Sequence, residues 1–154
     1  PLMHAIGAKA VCFKEAMEEK FQKDMKQTLS NAKRMAETFI KRGFEVVSGG
    51  TDSHLMLIDL TNQNVTGKDA EKLLEKAHIT TNKNTVPNEK LSPFVTSGIR
   101  IGSPTITTRG MKEDQVEMVV NYVCDVIENR DNDSKIAEIK NKVLDLLKQF
   151  PLYE

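Results

Sequence analysis

A chain of 154 residues is long enough for one ordinary domain and its core, which excludes a peptide or a small disulfide scaffold. Lys plus Arg and Asp plus Glu balance at 22 each, so no overall field attracts nucleic acid or an anionic membrane, and neither is expected as a partner. No apolar run approaches the roughly 18 residues that cross a bilayer, and no charged-then-apolar leader opens the chain. Cys12 and Cys124 lie far apart, each in an apolar helical pattern with no CxxC, which predicts buried free thiols in a reducing, cytoplasmic compartment.

From Pro1 to about Phe13, small and apolar residues (Ala5, Ile6, Ala8, Ala10, Val11) fall on nearly every side of a helix. The rest of the chain does not obviously supply the surface they would pack against. With no initiator methionine and a start already in mid-pattern, the opening reads as a cut through a larger protein. Phe21, Met25, Leu29, Ala32, Met35, Ala36 and Phe39 then repeat at three and four residues, and Arg42-Gly43 supplies a cationic last turn and a glycine stop, so a long amphipathic helix is predicted.

Residues 44–60 read as strand, glycine turn, strand. Thr66 caps a short helix to about His78, with Leu73 and Leu74 inward. Ile79-Thr-Thr81 reads as a brief strand, 82–93 as an exposed polar loop, and Val95–Ile101 as the next strand. Thr107 or Thr108 caps a helix carrying Met111, Val116, Val119, Val120, Val123 and Ile127. After the polar break 129–133, a last helix to about 150 uses Ile136, Ile139, Val143, Leu146, Leu147 and Phe150, and Pro151 ends it. This order predicts an α/β (α+β) domain with helices covering one face of a small, mainly antiparallel sheet.

Chemistry-bearing motifs are few. His4, His54 and His78 have no HxxxH or HxH spacing, so no metal site is expected, and there is no GxSxG, GxGxxG or GxxxxGK[ST] loop. What remains is Asn82–Pro87 and Ser92–Gly110. In Ser92-Pro-Phe-Val-Thr-Ser-Gly-Ile-Arg-Ile-Gly102, strand alternation puts Ile99 and Ile101 on one side and Arg100 on the other. A guanidinium there takes a carboxylate or phosphate in its planar fork, is salt-bridged within its own domain, or simply points at water. Asn84 and the exposed ring of Phe94 add the parts of a pocket for a ligand with a carboxylate and a flat polar ring.

Pro1-Leu-Met-His4, Ser48-Gly-Gly-Thr-Asp52 with His54–Leu60, Asn82-Lys-Asn-Thr-Val-Pro87, and Ser92–Gly102 with Thr108-Arg-Gly110 occur in the order found in one family. Across essentially its whole length the chain resembles the C-terminal third of serine hydroxymethyltransferases, which interconvert serine and glycine with pyridoxal phosphate and tetrahydrofolate. Phe150-Pro-Leu-Tyr153 is similar to the family's C-terminus. The resemblance implies a type I pyridoxal-phosphate fold, with residues 1–16 ending the large domain, 17–43 forming a long connecting helix, and 44–154 the small C-terminal domain. It implies that Arg100 binds the carboxylate of serine or glycine, that Asn84, Ser92, Pro93 and Phe94 contact folate, and that the intact enzyme is a homodimer or a dimer of dimers.

The family's Schiff-base lysine motif, ring-stacking histidine, pyridine-pairing aspartate and phosphate loop have no counterpart here. These residues alone are therefore expected to bind pyridoxal phosphate weakly or not at all and to be inactive. A non-catalytic folate-binding module and a self-associating fragment remain the alternatives.

Overall fold

The structure is a computed structural model that describes residues 1–152; Tyr153 of the C-terminal motif lies outside the described residues. Helix α1 (Met3–Ala16) buries none of its residues, and Leu2, Met3, Ile6, Val11 and Phe13 are all more than half exposed. Cys12 is exposed as well, contrary to the expectation of a buried thiol, because nothing else in the described chain packs over its helix; Cys124 is buried and both are free. A break at Met17-Glu18 leads into α2 (Glu19–Lys41). Of the predicted stripe, Ala32, Met35, Ala36 and Phe39 are buried, each large side chain contributing roughly 1.5–3 kcal/mol of transfer free energy, whereas Phe21, Met25 and Leu29, nearer α1, are exposed. Gly43, at φ +78°, lets the chain reverse so that the Phe44 N–H donates to the Phe39 carbonyl at 2.9 Å, and the two rings meet edge to face at 5.9 Å.

Four antiparallel strands follow in the spatial order β1 (Glu45–Val46), β2 (Leu55–Asp59), β4 (Gly98–Gly102), β3 (Asn82–Asn84). Met56, Ile58 and Ile99 are fully or almost fully buried on the side where α2 and α3 (Gly67–Lys76) lie. Helix α5 (Glu113–Glu128) packs on α2 and α3, and α6 (Asp133–Gln149) packs on α5 and α3. Helices thus cover one face of a small antiparallel sheet, the arrangement predicted from the element order.

Two buried polar groups fix α2 against the chain that follows β4. The Asn31 amide, fully buried, donates to Thr107 Oγ1 at 2.8 Å and to the Met111 carbonyl at 3.0 Å, while its oxygen accepts from Gln27. Ser103 Oγ donates to the Thr28 carbonyl at 2.7 Å. Fully satisfied buried groups of this kind specify one packing, since leaving either partner alone costs about 1–3 kcal/mol.

Several local expectations need correction. Residues 79–81 form no strand: His78, at φ +60°, turns the chain out of α3, and pairing with β4 starts only at Asn82, opposite Arg100. The strand is Asn82–Asn84 instead, inside the segment read as loop. Strand β4 begins at Gly98 rather than Val95, because the Val95 and Thr96 carbonyls accept from the Lys68 and Gly67 N–H groups of α3. Thr107 and Thr108 do not cap the next helix. They end a short helix α4 (Pro104–Thr108) with proline in its first turn, and α5 starts after Lys112.

Candidate functional site

Strand β4 is central, and Arg100 lies opposite Leu57 of β2 and Asn82 of β3. Alternation sends Ile99 into the core, fully buried, and leaves Arg100 exposed on the sheet face away from the helices. The same parity puts Leu55, Leu57, Asp59, Asn82 and Asn84 on the Arg100 face. Lys83, of opposite parity, lies on the helix side with its ammonium 3.6 Å from Glu71 of α3. Asn84 is the diagonal neighbour of Arg100, at roughly 7–8 Å by sheet geometry.

The other arginines are engaged. Arg34, Arg42 and Arg130 pair with carboxylates, and Arg109 donates to the Phe150 carbonyl at 2.8 Å. Among the described residues Arg100 has neither a hydrogen-bond nor an ion-pair partner, so it is not salt-bridged within this domain and its guanidinium faces open space. A planar cation on an open face beside two amide side chains can take a carboxylate through two parallel hydrogen bonds.

The second part of the site is the connection 85–97. Phe94 is 81% exposed in a turn closed by N–H bonds from Val95 and Thr96 to the Ser92 carbonyl, at 2.9 and 3.0 Å, and Ser92 and Pro93 are exposed beside it. Asn84 stands at the other end of this connection, its amide donating to the Thr85 carbonyl at 2.7 Å. Thr96 adopts φ +60°, an unfavourable region for a β-branched residue, and is held there buried, its carbonyl receiving the Gly67 N–H at 2.9 Å. A Cβ on Gly67 would collide with Thr96 Oγ1 and the Gly98 carbonyl, so glycine at the start of α3 is what lets the loop dock there.

Sequence reasoning missed Glu89. Its carboxylate accepts from the Ser97 hydroxyl at 2.6 Å, the Ser97 N–H at 2.8 Å, the Leu91 N–H at 2.9 Å and the Val86 N–H at 3.3 Å. The Ser97 hydroxyl most of all, then the backbone donors, hold this carboxyl down to about 2 from an ordinary 4.5. Its ionised form therefore favours the ordered loop in full above pH 4.5, and that contribution is lost as pH falls through about 2. Nothing in the sequence marks one acidic residue among the polar residues 82–93; only the fold brings Val86, Leu91 and Ser97 around it.

Pyridoxal phosphate would need a lysine and a phosphate cradle. The strands of the Arg100 face offer no lysine; of its two carboxylates, Glu45 lies on the edge strand β1 and Asp59 accepts from the Thr61 N–H and hydroxyl at 2.8 and 2.6 Å. These residues do not fit the cofactor's own site. Among the described residues there is no cluster of three or more metal-ligating side chains, and no helix is long and apolar enough to cross a membrane.

The serine hydroxymethyltransferase family profile matches residues 1–123. The chain is 56% identical over 153 residues to serine hydroxymethyltransferases from Dichelobacter nodosus, Shewanella woodyi and Shewanella sediminis, the match covering 99% of this chain and 37% of each relative. It therefore spans little more than a third of the length of these relatives, in their C-terminal part. On this match the chain belongs to the serine hydroxymethyltransferase family.

Proposed function

We propose that this chain is the substrate-carboxylate and folate half-site of a cytoplasmic serine hydroxymethyltransferase that interconverts serine and glycine and passes a one-carbon unit to tetrahydrofolate. The observation that carries the reading is Arg100: without a partner among the described residues, in the middle of a strand, and facing outward beside Asn82 and Asn84. In this role its guanidinium takes the carboxylate of serine or glycine, fixing the amino acid at one end. Asn84 offers its amide to the flat polar ring of folate, and Ser92, Pro93 and Phe94 present an exposed aromatic turn for that ring to lie against.

Pyridoxal phosphate belongs, on this reading, to the part of the protein outside these residues. Residues 1–16 complete that large domain, α2 connects it, and 44–154 form the small domain of a homodimer or dimer of dimers. The unburied apolar residues of α1 support this division, since they need a covering surface. The same exposed helix favours a second reading for the chain in isolation, self-association through α1.

Two tests follow. In the full-length protein, Phe94→Ala or Asn84→Ala raises the KM for tetrahydrofolate about three- to tenfold, the size of one aromatic or polar contact, with little change in the KM for serine. Unchanged folate kinetics in both variants would remove the folate assignment. The 154-residue chain alone, assayed with serine, tetrahydrofolate and added pyridoxal phosphate, shows no formation of glycine; measurable turnover would contradict the division of labour.

A further inference from the structure

The connection 85–97 carries one proposed folate group at each end, Asn84 just before it and Phe94 within it, yet it has little apolar anchorage. Leu91 and Phe94 point outward, 42% and 81% exposed, and Asn88 and Thr96 sit at positive φ. A segment of this kind keeps one shape only if its polar groups are tied together. One side chain does most of this.

Glu89 Oε1 accepts from the Leu91 N–H and the Ser97 hydroxyl, and Oε2 accepts from the Ser97 and Val86 N–H groups. Start, middle and end of the connection thus converge on a single carboxylate. No lysine or arginine pairs with it among the described residues, and these four donors are its protein partners there. Charge-assisted hydrogen bonds of this type are about twice as strong as neutral ones, and four on one group define a fixed point. The anchored end at Ser97 continues into Gly98, Ile99 and Arg100, and the Ser97 carbonyl accepts from the Leu60 N–H at 2.9 Å.

We propose that Glu89 is a positioning residue for tetrahydrofolate: by clamping Val86, Leu91 and Ser97 it sets the separation and orientation of Asn84 and the Ser92–Phe94 turn. It touches neither serine nor folate itself. The inference rests on the folate assignment made above.

The test is steady-state kinetics on the full-length protein. Glu89→Gln keeps the size of the side chain but replaces one acceptor oxygen by an NH2 group that faces N–H donors. It should raise the KM for tetrahydrofolate roughly tenfold, while the KM for serine and kcat at saturating folate stay within about twofold. Ser97→Ala removes only the hydroxyl donor and should raise the folate KM about threefold. The double variant should be no worse than Glu89→Gln alone, because both remove the same clamp.

A folate KM unchanged in Glu89→Gln, or one that rises only together with the KM for serine, overturns the proposal. Should Glu89→Gln fail to fold, Ser97→Ala with an unchanged folate KM overturns it equally. Phe94→Ala separates the two levels. If Phe94→Ala raises the folate KM and neither clamp variant does, the clamp is wrong and the folate site stands; if Phe94→Ala and Asn84→Ala have no effect either, the folate site itself is wrong.

Discussion

Arg100→Ala in the full-length protein is expected to lower kcat/KM for serine about 30-fold or more, chiefly through KM, and to leave the unfolding midpoint where it was. The kinetic loss follows from removing one partner of a desolvated charge pair, roughly 2–5 kcal/mol, which corresponds to about 30-fold or more in rate. The unchanged stability follows from the exposure of Arg100 and its lack of any partner among the described residues. Arg100→Lys should recover only a small part. An ammonium on a flexible stem restores the charge but not the two parallel N–H bonds of the planar fork. The KM for tetrahydrofolate should move far less than that for serine, because the proposed folate groups lie on β3 and the following loop. A variant with normal serine kinetics would show that the strand's arginine serves something else.

Gly98→Ala should have the opposite profile, with a lower unfolding midpoint and weaker folate binding from one added methyl. A Cβ at Gly98 would lie 2.7 Å from Val86 Cγ1, 2.8 Å from the Ile58 carbonyl oxygen and 3.1 Å from the Asn84 carbonyl oxygen. Val86 Cγ1 is a side-chain atom, but the two carbonyls belong to the strands on either side. One strand has to move. β2 is five residues long and carries the buried Met56 and Ile58, whereas β3 is three residues long at the sheet edge, so β3 gives way and takes Asn84 with it. Overpacking of this kind costs about 1–3 kcal/mol. Thermal denaturation and the folate KM, measured together on wild type and Gly98→Ala, check this; if neither changes, the close approach at Gly98 is not a constraint.

Much of this architecture was legible in the sequence where periodicity is strong. The stripe from Ala32 to Phe39, the Thr66 cap and the α6 pattern from Ile136 to Leu146 all report burial on one side of a helix, and the structure buries those faces. Strand β3 was illegible for a physical reason. Asn82 and Asn84 sit on the open face and Lys83 is paired with Glu71, so no apolar alternation exists to be read. The start of α4 carried a signal that went unused, since Ser103-Pro104 has the proline of a first helical turn, although the Ser103 hydroxyl serves α2 instead of capping.

For the site, strand parity alone predicted that Arg100 would face away from Ile99 and Ile101. The approach of Asn84 to the same face required the β3–β4 register, which depends on long-range pairing. Glu89 was out of reach because its partners lie three residues before it and two and eight residues after it, in a loop whose shape the sequence pattern does not encode. Thr96 at positive φ was hidden for a related reason, since it is the contact with Gly67 that imposes a conformation the residue type disfavours.

In the proposed role Arg100 is the carboxylate clamp for serine or glycine. A crystal structure of the full-length protein with glycine bound tests it most directly. Two guanidinium nitrogens of Arg100 should lie about 2.7–2.9 Å from the two oxygens of the amino-acid carboxylate. A carboxylate held by a different cation, with Arg100 still facing solvent, would contradict the account.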